Sequence, residues 1–168
     1  MSPKYVHKKM ARLIFTRAFL LATAIPYLTL GATTIRWMPL GDSITDYGCW
    51  RAWIWERFQR GGVYSVDLVG GERAGENCNN LEFDRDHEGH PGFQAVDIAN
   101  RNQLVGWLAK NPADVVTMHL GTNDIIRGSG KASDILGAQG KLIDQMRASN
   151  PGMRIIVRFF FFLRFFFL

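Results

Sequence analysis

Strand-like and helix-like segments alternate along most of this 168-residue chain, which limits the folds it can adopt. Short apolar runs are typical of buried strands, whereas apolar positions three and four residues apart are typical of helices. A chain that alternates in this way forms a parallel sheet with right-handed crossovers and helices on both faces. We therefore predict a three-layer α/β/α fold, with strands over residues 33–40, 63–69, 114–120 and 153–157 and helices over residues 50–58, 95–108 and 132–148.

Two turns at strand ends carry the candidate chemistry. Residues 41–45, Gly-Asp-Ser-Ile-Thr, follow the first predicted strand, and residues 118–124, Met-His-Leu-Gly-Thr-Asn-Asp, end the third. Because α/β proteins build their sites at the carboxyl edge of the sheet, Ser43 on such a turn is a candidate nucleophile. The two parallel strands should end side by side, which would bring Asn123 to the same edge. Asp42 and Asp124 are expected to hold their turns by accepting hydrogen bonds from nearby backbone N–H groups.

The segment between the second strand and the second helix, residues 72–91, has no apolar period and is predicted to be a long loop. Loops of this length inside a compact domain are usually functional or disordered. Trp50 and Trp53, which the helical period places on one face of the first helix, are interpreted as packing residues rather than as a sugar platform.

Composition and charge exclude some classes of protein. With 47% hydrophobic and 21% charged residues, the chain is predicted to form one globular domain. The formal net charge of +5 does not indicate nucleic-acid binding, because the Lys and Arg residues at positions 4, 8, 9, 12 and 17 supply the whole excess. The remaining residues sum to zero and leave no basic face for phosphates.

The N-terminus has the three-part form of a secretory signal peptide. A basic segment over residues 4–17 precedes an apolar run over residues 18–30 and the small residues Gly31 and Ala32. The run of about 13 residues is shorter than the roughly 20 needed for a permanent membrane span. We expect a signal peptide over residues 1–31 and a secreted, extracellular protein with no stable span after cleavage. An uncleaved anchor and a core helix remain the alternatives.

The sequence contains two cysteines, Cys49 and Cys78. In an exported chain they are most simply interpreted as one disulfide between the start of the first helix and the long loop. Two unpaired thiols are the alternative. Neither cysteine has a nearby Cys or His at the spacing of a metal site, so no metal is expected.

Taken together, these motifs resemble the GDSL/SGNH hydrolase superfamily, and more narrowly the carbohydrate esterases that include acetylxylan esterases. The shared motifs are GDSIT, a Cys-Trp soon after it, DRDHEGHxGF and HLGTND, in that order. The resemblance implies a flavodoxin-like fold, a catalytic domain over residues 32–157 and no cofactor. It also implies that the backbone N–H groups of Ser43 and Gly92 and the Asn123 amide stabilise an oxyanion. The alternative interpretations are that Ser43 is only a loop serine, that Gly92 is only a turn glycine and that Asn123 only caps the next segment.

One part of the family's pattern is absent from the sequence as given. The family's base is a histidine in an Asp-x-x-His turn after the last strand, whereas the last histidine here is His119. The literal Asp-x-x-His of residues 84–87 belongs to the DRDHEGH block, so His87, His90 and His119 are only substitute candidates. Residues 158–168 contain seven phenylalanines and are interpreted as an aberrant tail that replaces the family's last strand and helix.

The expected function is that of a secreted serine esterase that removes acetyl groups from a plant polysaccharide such as acetylxylan. Its partners would be an acetylated polysaccharide or a small ester, with no nucleic acid, and the protein would be a monomer. Without the family's histidine, this chain is expected to be inactive. The competing interpretation is a non-catalytic secreted protein that binds carbohydrate, or a gene fragment with no function.

Overall fold

The computed structural model describes residues 33–62, 65–128 and 131–158, all within one compact unit. The predicted signal peptide over residues 1–31 and the Phe-rich residues 159–168 lie outside the described residues. Within the described ranges, no helix is both long enough and apolar enough to cross a membrane.

The strands of the described residues form one parallel sheet, as predicted. Its order is β2-β1-β4-β5, and the short β3 pairs with Leu40 and Gly41 at the carboxyl end of β1. The register places Gly41 opposite His119, so β1 and β4 end side by side. The strands are β1 Thr34–Gly41, β2 Ser65–Leu68, β3 Glu88–Gly89, β4 Val115–His119 and β5 Arg154–Val157.

The three predicted helices are present, with one correction, and two short helices over Ser43–Asp46 and Thr122–Ile126 occupy the predicted turns after the first and third predicted strands. The single helix expected over residues 95–108 is two helices, because Asn102 adopts a left-handed conformation with φ of 52°. Asparagine tolerates this conformation better than most residues, and Gln145 Nε2 donates to Asn102 Oδ1 at 3.0 Å. The helices are α1 Ser43–Asp46, α2 Trp50–Gly61, α3 Ala95–Asn100, α4 Gln103–Lys110, α5 Thr122–Ile126 and α6 Ala132–Ser149.

The two faces of the sheet are packed unequally. Because side chains alternate along a strand, Met38, Leu40, Val116 and Met118 share one face with the main core, which α3, α4 and α6 complete. We call the opposite side, which carries Ile35, Trp37, Val115, Thr117 and Ile156, the second face. A smaller cluster lies there, in which Trp37, Val66 and Leu68 pack against Trp50 and Trp55 of α2.

The interpretation of the tryptophans as packing residues holds for Trp50 but is wrong for Trp53. Trp55, which the predicted face left out, packs against the cluster on the second face. The Trp53 side chain is 60% exposed, whereas Arg51 and Ala52 of the same helix are fully buried. A helix turns about 100° per residue, so the buried direction set by Arg51, Ala52 and Trp55 points Trp53 toward solvent.

The long loop of residues 72–91 is largely irregular, but it contains a 3₁₀ helix over Cys78–Asn80 and the two residues of β3. Cys49 and Cys78 form a disulfide with their Cα atoms 5.3 Å apart, which confirms the predicted pair. The bridge ties the residue before α2 to the middle of the long loop, 29 positions along the chain.

Candidate active site

The turn that carries Ser43 is held by Asp42. Asp42 Oδ1 accepts the N–H of Ile44 at 2.9 Å, and the Asp42 carbonyl accepts the N–H groups of Thr45 and Asp46, each at 3.1 Å. Burial raises the pKa of the Asp42 carboxyl, while the hydrogen bond from Ile44 opposes that shift. These bonds start α1 at Ser43, which is half-buried at the carboxyl edge of the sheet.

Gly41 explains why the turn can approach β4 so closely. A Cβ at this position would lie 2.8 Å from the backbone oxygen of His119 and would also overlap the Thr45 side chain. Real Cβ atoms do not occur at such distances, so only glycine fits at the end of β1 without a backbone shift. The glycine of the Gly-Asp-Ser-Ile-Thr sequence is therefore required by packing between β1 and β4.

The second predicted stretch lies beside this turn. β4 ends at His119, and α5 begins directly afterwards at Thr122. The Asn123 side-chain amide lies 3.4 Å from Asp42 Oδ2 and donates to the Phe93 carbonyl at 2.9 Å. Asn123 therefore contacts both the segment that carries Gly92 and the turn of residues 41–46, which we call the nucleophile turn because it carries the candidate nucleophile Ser43.

The Gly92 segment reaches the same edge through β3. The His90 N–H donates to the Gly41 carbonyl at 2.9 Å, and Gly92 has φ of 82°, a conformation that favours glycine. The structure thus brings Ser43, Gly92 and Asn123 to one edge of the sheet, as the sequence predicted. Their catalytic roles stay predictions.

Asp124 has a different partner from the one expected. Its carboxylate accepts the N–H groups of Ala95 and Val96, at 2.9 and 3.0 Å, and so caps the start of α3. The expectation that it holds its own turn is corrected, because α5 packs with Asp124 fully buried against the first turn of α3. Asp124 therefore fixes the segment that follows Gly92.

A buried charged cluster beneath the nucleophile turn was missed by the sequence analysis. The Arg51 guanidinium donates to the Thr45 carbonyl, to the Asp46 carbonyl at 2.7 Å and to the Ala74 carbonyl at 2.8 Å. Burial lowers the pKa of Arg51. An arginine beside tryptophans and an alanine in this helix could have signalled that Arg51 is buried, although its partner in the long loop could not be identified from the sequence. The cluster joins the nucleophile turn to the long loop.

His87 belongs to this cluster. Its Nδ1 accepts the Gly89 N–H at 3.0 Å, so the ring proton lies on Nε2, which is 3.1 Å from the Ala74 carbonyl and 3.3 Å from Asp46 Oδ1. Burial, and secondarily the charge of Arg51, lowers the pKa of His87. The fully buried ring is engaged at both nitrogens within the loop and the turn.

His90 also has carboxylate partners. Its Nε2 lies 2.7 Å from Glu88 Oε1, and its Nδ1 lies 3.6 Å from Glu72 Oε1. The ring contacts both Phe93 and Trp107 in stacked orientations, with centroid distances of 4.8 and 4.3 Å, and these two rings also contact each other. These contacts fix the His90 ring next to the turn that carries Gly92.

His119 is the remaining histidine of the described residues. It ends β4 opposite Gly41, next to the nucleophile turn. Burial lowers the pKa of His119; the charge of Asp42 opposes this shift and that of Arg158 adds to it. The ring is therefore neutral at neutral pH, and it lines a cavity on the second face of the sheet.

A polar cavity of about 280 Å³ opens beside Gly92. It is lined by the segment from Pro91 to Gln94 together with Asp97, Arg101, Gln103 and Arg127. Arg127 lies so close to Gly92 that a Cβ there would be 2.8 Å from its Nη2. Among the described residues, no group of three His, Cys, Asp or Glu side chains is placed to hold a metal ion.

Comparison with known proteins adds independent information. A model of the GDSL-like lipase/acylhydrolase family matches residues 40–166. A multidomain esterase of Ruminococcus flavefaciens is 32% identical, with 78% of this chain and 19% of that protein covered.

Solved structures resemble the fold. A family 3 carbohydrate esterase from Talaromyces cellulolyticus is 44% identical with a TM-score of 0.69, over 73% of this chain and 60% of that one. An acetyl esterase with a serine-to-alanine mutation, solved with an acetate ion, is 41% identical with a TM-score of 0.67, over the same shares. A family 3 carbohydrate esterase from Clostridium thermocellum is 32% identical with a TM-score of 0.62, over 74% of this chain and 61% of that one. The chain thus spans about 60% of the length of these esterases.

Proposed function

We propose, since this chain belongs to the GDSL-like lipase/acylhydrolase family, that it derives from a serine ester hydrolase acting on acetylated plant polysaccharide. The observation that carries the proposal is the contact of the Asn123 amide with both Asp42 and the Phe93 carbonyl. This contact gathers a candidate nucleophile and three candidate oxyanion donors at the edge where α/β proteins bind ligands.

The chemistry follows from these groups. Ser43 Oγ would attack the carbonyl carbon of an acetyl ester, and its proton would pass to a base. The negative charge on the carbonyl oxygen would be met by the N–H groups of Ser43 and Gly92 and by the Asn123 amide. For this, the amide N–H that faces Asp42 Oδ2, the longer of its two contacts at 3.4 Å, would turn to the oxyanion. Collapse of this tetrahedral species expels the sugar alcohol, which takes up the proton, and leaves an acetyl-serine that water hydrolyses to acetate. A neutral amide suits this task because it donates a hydrogen bond without adding a competing charge.

The general base is the catalytic group that the given sequence does not contain at the position where the family has it. No histidine follows His119 in the sequence. His87 is engaged at both ring nitrogens, and the ring nitrogens of His90 face Glu88 and Glu72. We therefore propose that the 168-residue chain has little esterase activity by itself, and that activity requires the family's C-terminal segment after Val157.

Support for acetyl groups and polysaccharide comes from the relatives. Two of the similar structures are family 3 carbohydrate esterases, and a third is an acetyl esterase that holds an acetate ion. The polar cavity beside Gly92 offers amide, guanidinium and carboxylate groups that suit sugar hydroxyls. These observations favour an acetylated carbohydrate over a long-chain lipid.

Secretion is part of the proposal. The basic and then apolar N-terminal sequence supports it, and so does the Cys49–Cys78 disulfide, since such bonds persist in oxidising compartments. We expect exported protein to begin near Ala32. N-terminal sequencing of secreted material tests this, and recovery of Met1 on a soluble intracellular product would refute it.

The second candidate function is carbohydrate binding without catalysis, favoured by the engagement of His87 and His90. Isothermal titration with acetylated xylo-oligosaccharides separates the two proposals when combined with acetate release. Both measurements are made on an extended version of the protein, defined as residues 1–157 followed by the C-terminal segment of a family 3 carbohydrate esterase. Acetate release by the extended version, abolished by Ser43→Ala, supports the esterase. Binding by the extended version without Ser43-dependent release supports the carbohydrate-binding protein.

A further inference from the structure

The second face of the sheet is incompletely covered by the described residues. On this face α2 packs over β1 and β2, with Phe58 and Trp50 at centroid distances of 5.9 and 6.4 Å from Trp37. Ile156, in the middle of β5, is 59% exposed. A strand residue on the inner side of a doubly covered sheet is normally buried, so the β4 and β5 side of this face has room for another segment.

Two adjoining cavities form a groove along this uncovered area. The first, of about 330 Å³, is lined by Ile35, Trp37 and Val115 from the strands and by Ile54 and Phe58 from α2, with Ile156 at its far side. The second, of about 260 Å³, shares Trp37, Ile54 and Ile156 with the first and continues to Arg158. We call the two together the sheet-face groove. Its lining is mostly apolar, so its occupant must be apolar.

The chain itself supplies a matching segment at one end of the sheet-face groove. The Arg158 N–H donates to the Met118 carbonyl at 3.0 Å, which fixes the end of β5. Residues 159–168, which follow directly, comprise seven phenylalanines, two leucines and one arginine. Four consecutive phenylalanines come first, so the most apolar part of the segment starts where the groove does.

Length and connectivity also agree. The path from β5 across β4 and β1 to β2 is three strand spacings, or about 14 Å. Ten extended residues can reach roughly 33 Å. A segment joined to the groove has an effective concentration in the millimolar range, whereas a second copy of the chain must overcome the full cost of association.

We propose that residues 159–168 fold back over the sheet-face groove, with phenylalanines 159–162 contacting Ile54, Phe58 and Ile156. The segment then serves as an intramolecular cover for the second face. A second copy of the chain is the competing occupant. This inference does not depend on the proposed esterase activity.

Photo-crosslinking of the full chain tests the contact. Phe161 is replaced by p-benzoylphenylalanine, the monomer fraction is irradiated, and crosslinked peptides are mapped by mass spectrometry. We expect links to the α2 peptide that contains Ile54 and Phe58 or to the β5 peptide that contains Ile156. The same probe at Ile126, which is 69% exposed on α5, is the control and should give neither link. Links elsewhere, links between two copies, or no link at all would overturn the proposal.

Dye binding gives a second test, because the change in dye fluorescence has one sign if the segment covers the groove and the opposite sign if it does not. Replacing phenylalanines 159–162 by serine removes apolar surface from the segment and opens the groove if the segment covers it. We expect the fluorescence of the apolar dye ANS to rise several-fold, while the circular dichroism of the folded chain is unchanged. If the segment does not cover the groove, the dye signal falls because four exposed phenylalanines are lost, and the proposal fails.

Discussion

The side-chain amide of Asn123 lies 3.4 Å from the Asp42 carboxylate, although 81 positions separate the two residues in sequence. The same amide donates to the Phe93 carbonyl, next to Gly92. One side chain therefore holds together the nucleophile turn, the end of the long loop and the turn after β4. A change in any of these three segments should disturb the other two.

Removal of this amide should affect catalysis more than folding. In the extended version, Asn123→Ala is expected to lower kcat for acetyl ester hydrolysis by about 10² to 10³, the usual effect of losing one oxyanion donor. Steady-state kinetics with a chromogenic acetate ester measure this, and Asn111→Ala, a substitution after α4, is the control. A kcat for Asn123→Ala equal to that of the control would show that the amide only supports the loop.

Gly41→Ala should destabilise the chain. The added methyl would meet the His119 backbone oxygen and the Thr45 side chain, and such overpacking costs about 1 to 3 kcal/mol. Gly137→Ala is the matched control, because a Cβ at that position of α6 meets open space. That change should instead stabilise the helix by roughly 0.5 to 1 kcal/mol. Urea unfolding compares the two, and equal midpoints would refute the packing argument.

The disulfide should contribute measurably to stability. Replacing both Cys49 and Cys78 by serine opens a loop of 29 positions and is expected to lower the free energy of unfolding by about 2 to 4 kcal/mol. Denaturant unfolding of the oxidised chain and of the double variant measures this difference. Mass mapping without reductant that finds both cysteines of exported protein as free thiols would contradict the pairing.

Acid should destabilise the fold through His87. Its pKa is lowered from the ordinary value of 6.5 by burial, so below that pH the unfolded chain binds a proton that the folded chain does not. Stability is therefore lost as pH falls from about 6.5 toward the lower folded pKa. His119, whose pKa burial also lowers, acts in the same direction.

The pH dependence can be assigned by substitution. His87→Gln should reduce the slope of unfolding free energy against pH between about pH 7.5 and 5.5, whatever its effect on the stability itself. His119→Gln provides the comparison and should remove a separate part of the slope. An unchanged slope in both variants would show that neither ring is held neutral in the folded state.

Much of the fold could be predicted from sequence because local patterns and topology agree. The apolar runs that end at Leu40 and Leu120 place two polar turns at adjacent strand ends, which is enough to bring Ser43 and Asn123 together. The break at Asn102 was missed, although residues 100–103 are all polar and interrupt the apolar period between Ala99 and Leu104. Four polar residues can equally form one exposed turn of a continuous helix, and the left-handed backbone of Asn102 is what ends the helix here.

The supporting groups of the site were harder to predict, since they depend on contacts between distant segments. Arg51 lies in an aromatic helix and gives no local sign that its guanidinium reaches the Ala74 carbonyl. Asp124 follows the Thr-Asn pair of its motif, yet it caps α3 rather than its own turn. These partners are set by how the long loop and α5 pack, which neither periodicity nor a motif determines.

The central claim is that Ser43 lies in an esterase site whose base comes from a segment after Val157. It is tested most directly by the turnover of a chromogenic acetate ester by three proteins: the 168-residue chain, the extended version and the extended version with Ser43→Ala. Without a base, oxyanion donors and binding leave about 10³ to 10⁴ over the uncatalysed reaction, several orders of magnitude below an intact site. We predict turnover in the extended version that Ser43→Ala abolishes, and little in the 168-residue chain. Ser43-dependent turnover in the 168-residue chain close to that of the extended version would contradict the claim and would point to a histidine already present, His87 or His90, as the base.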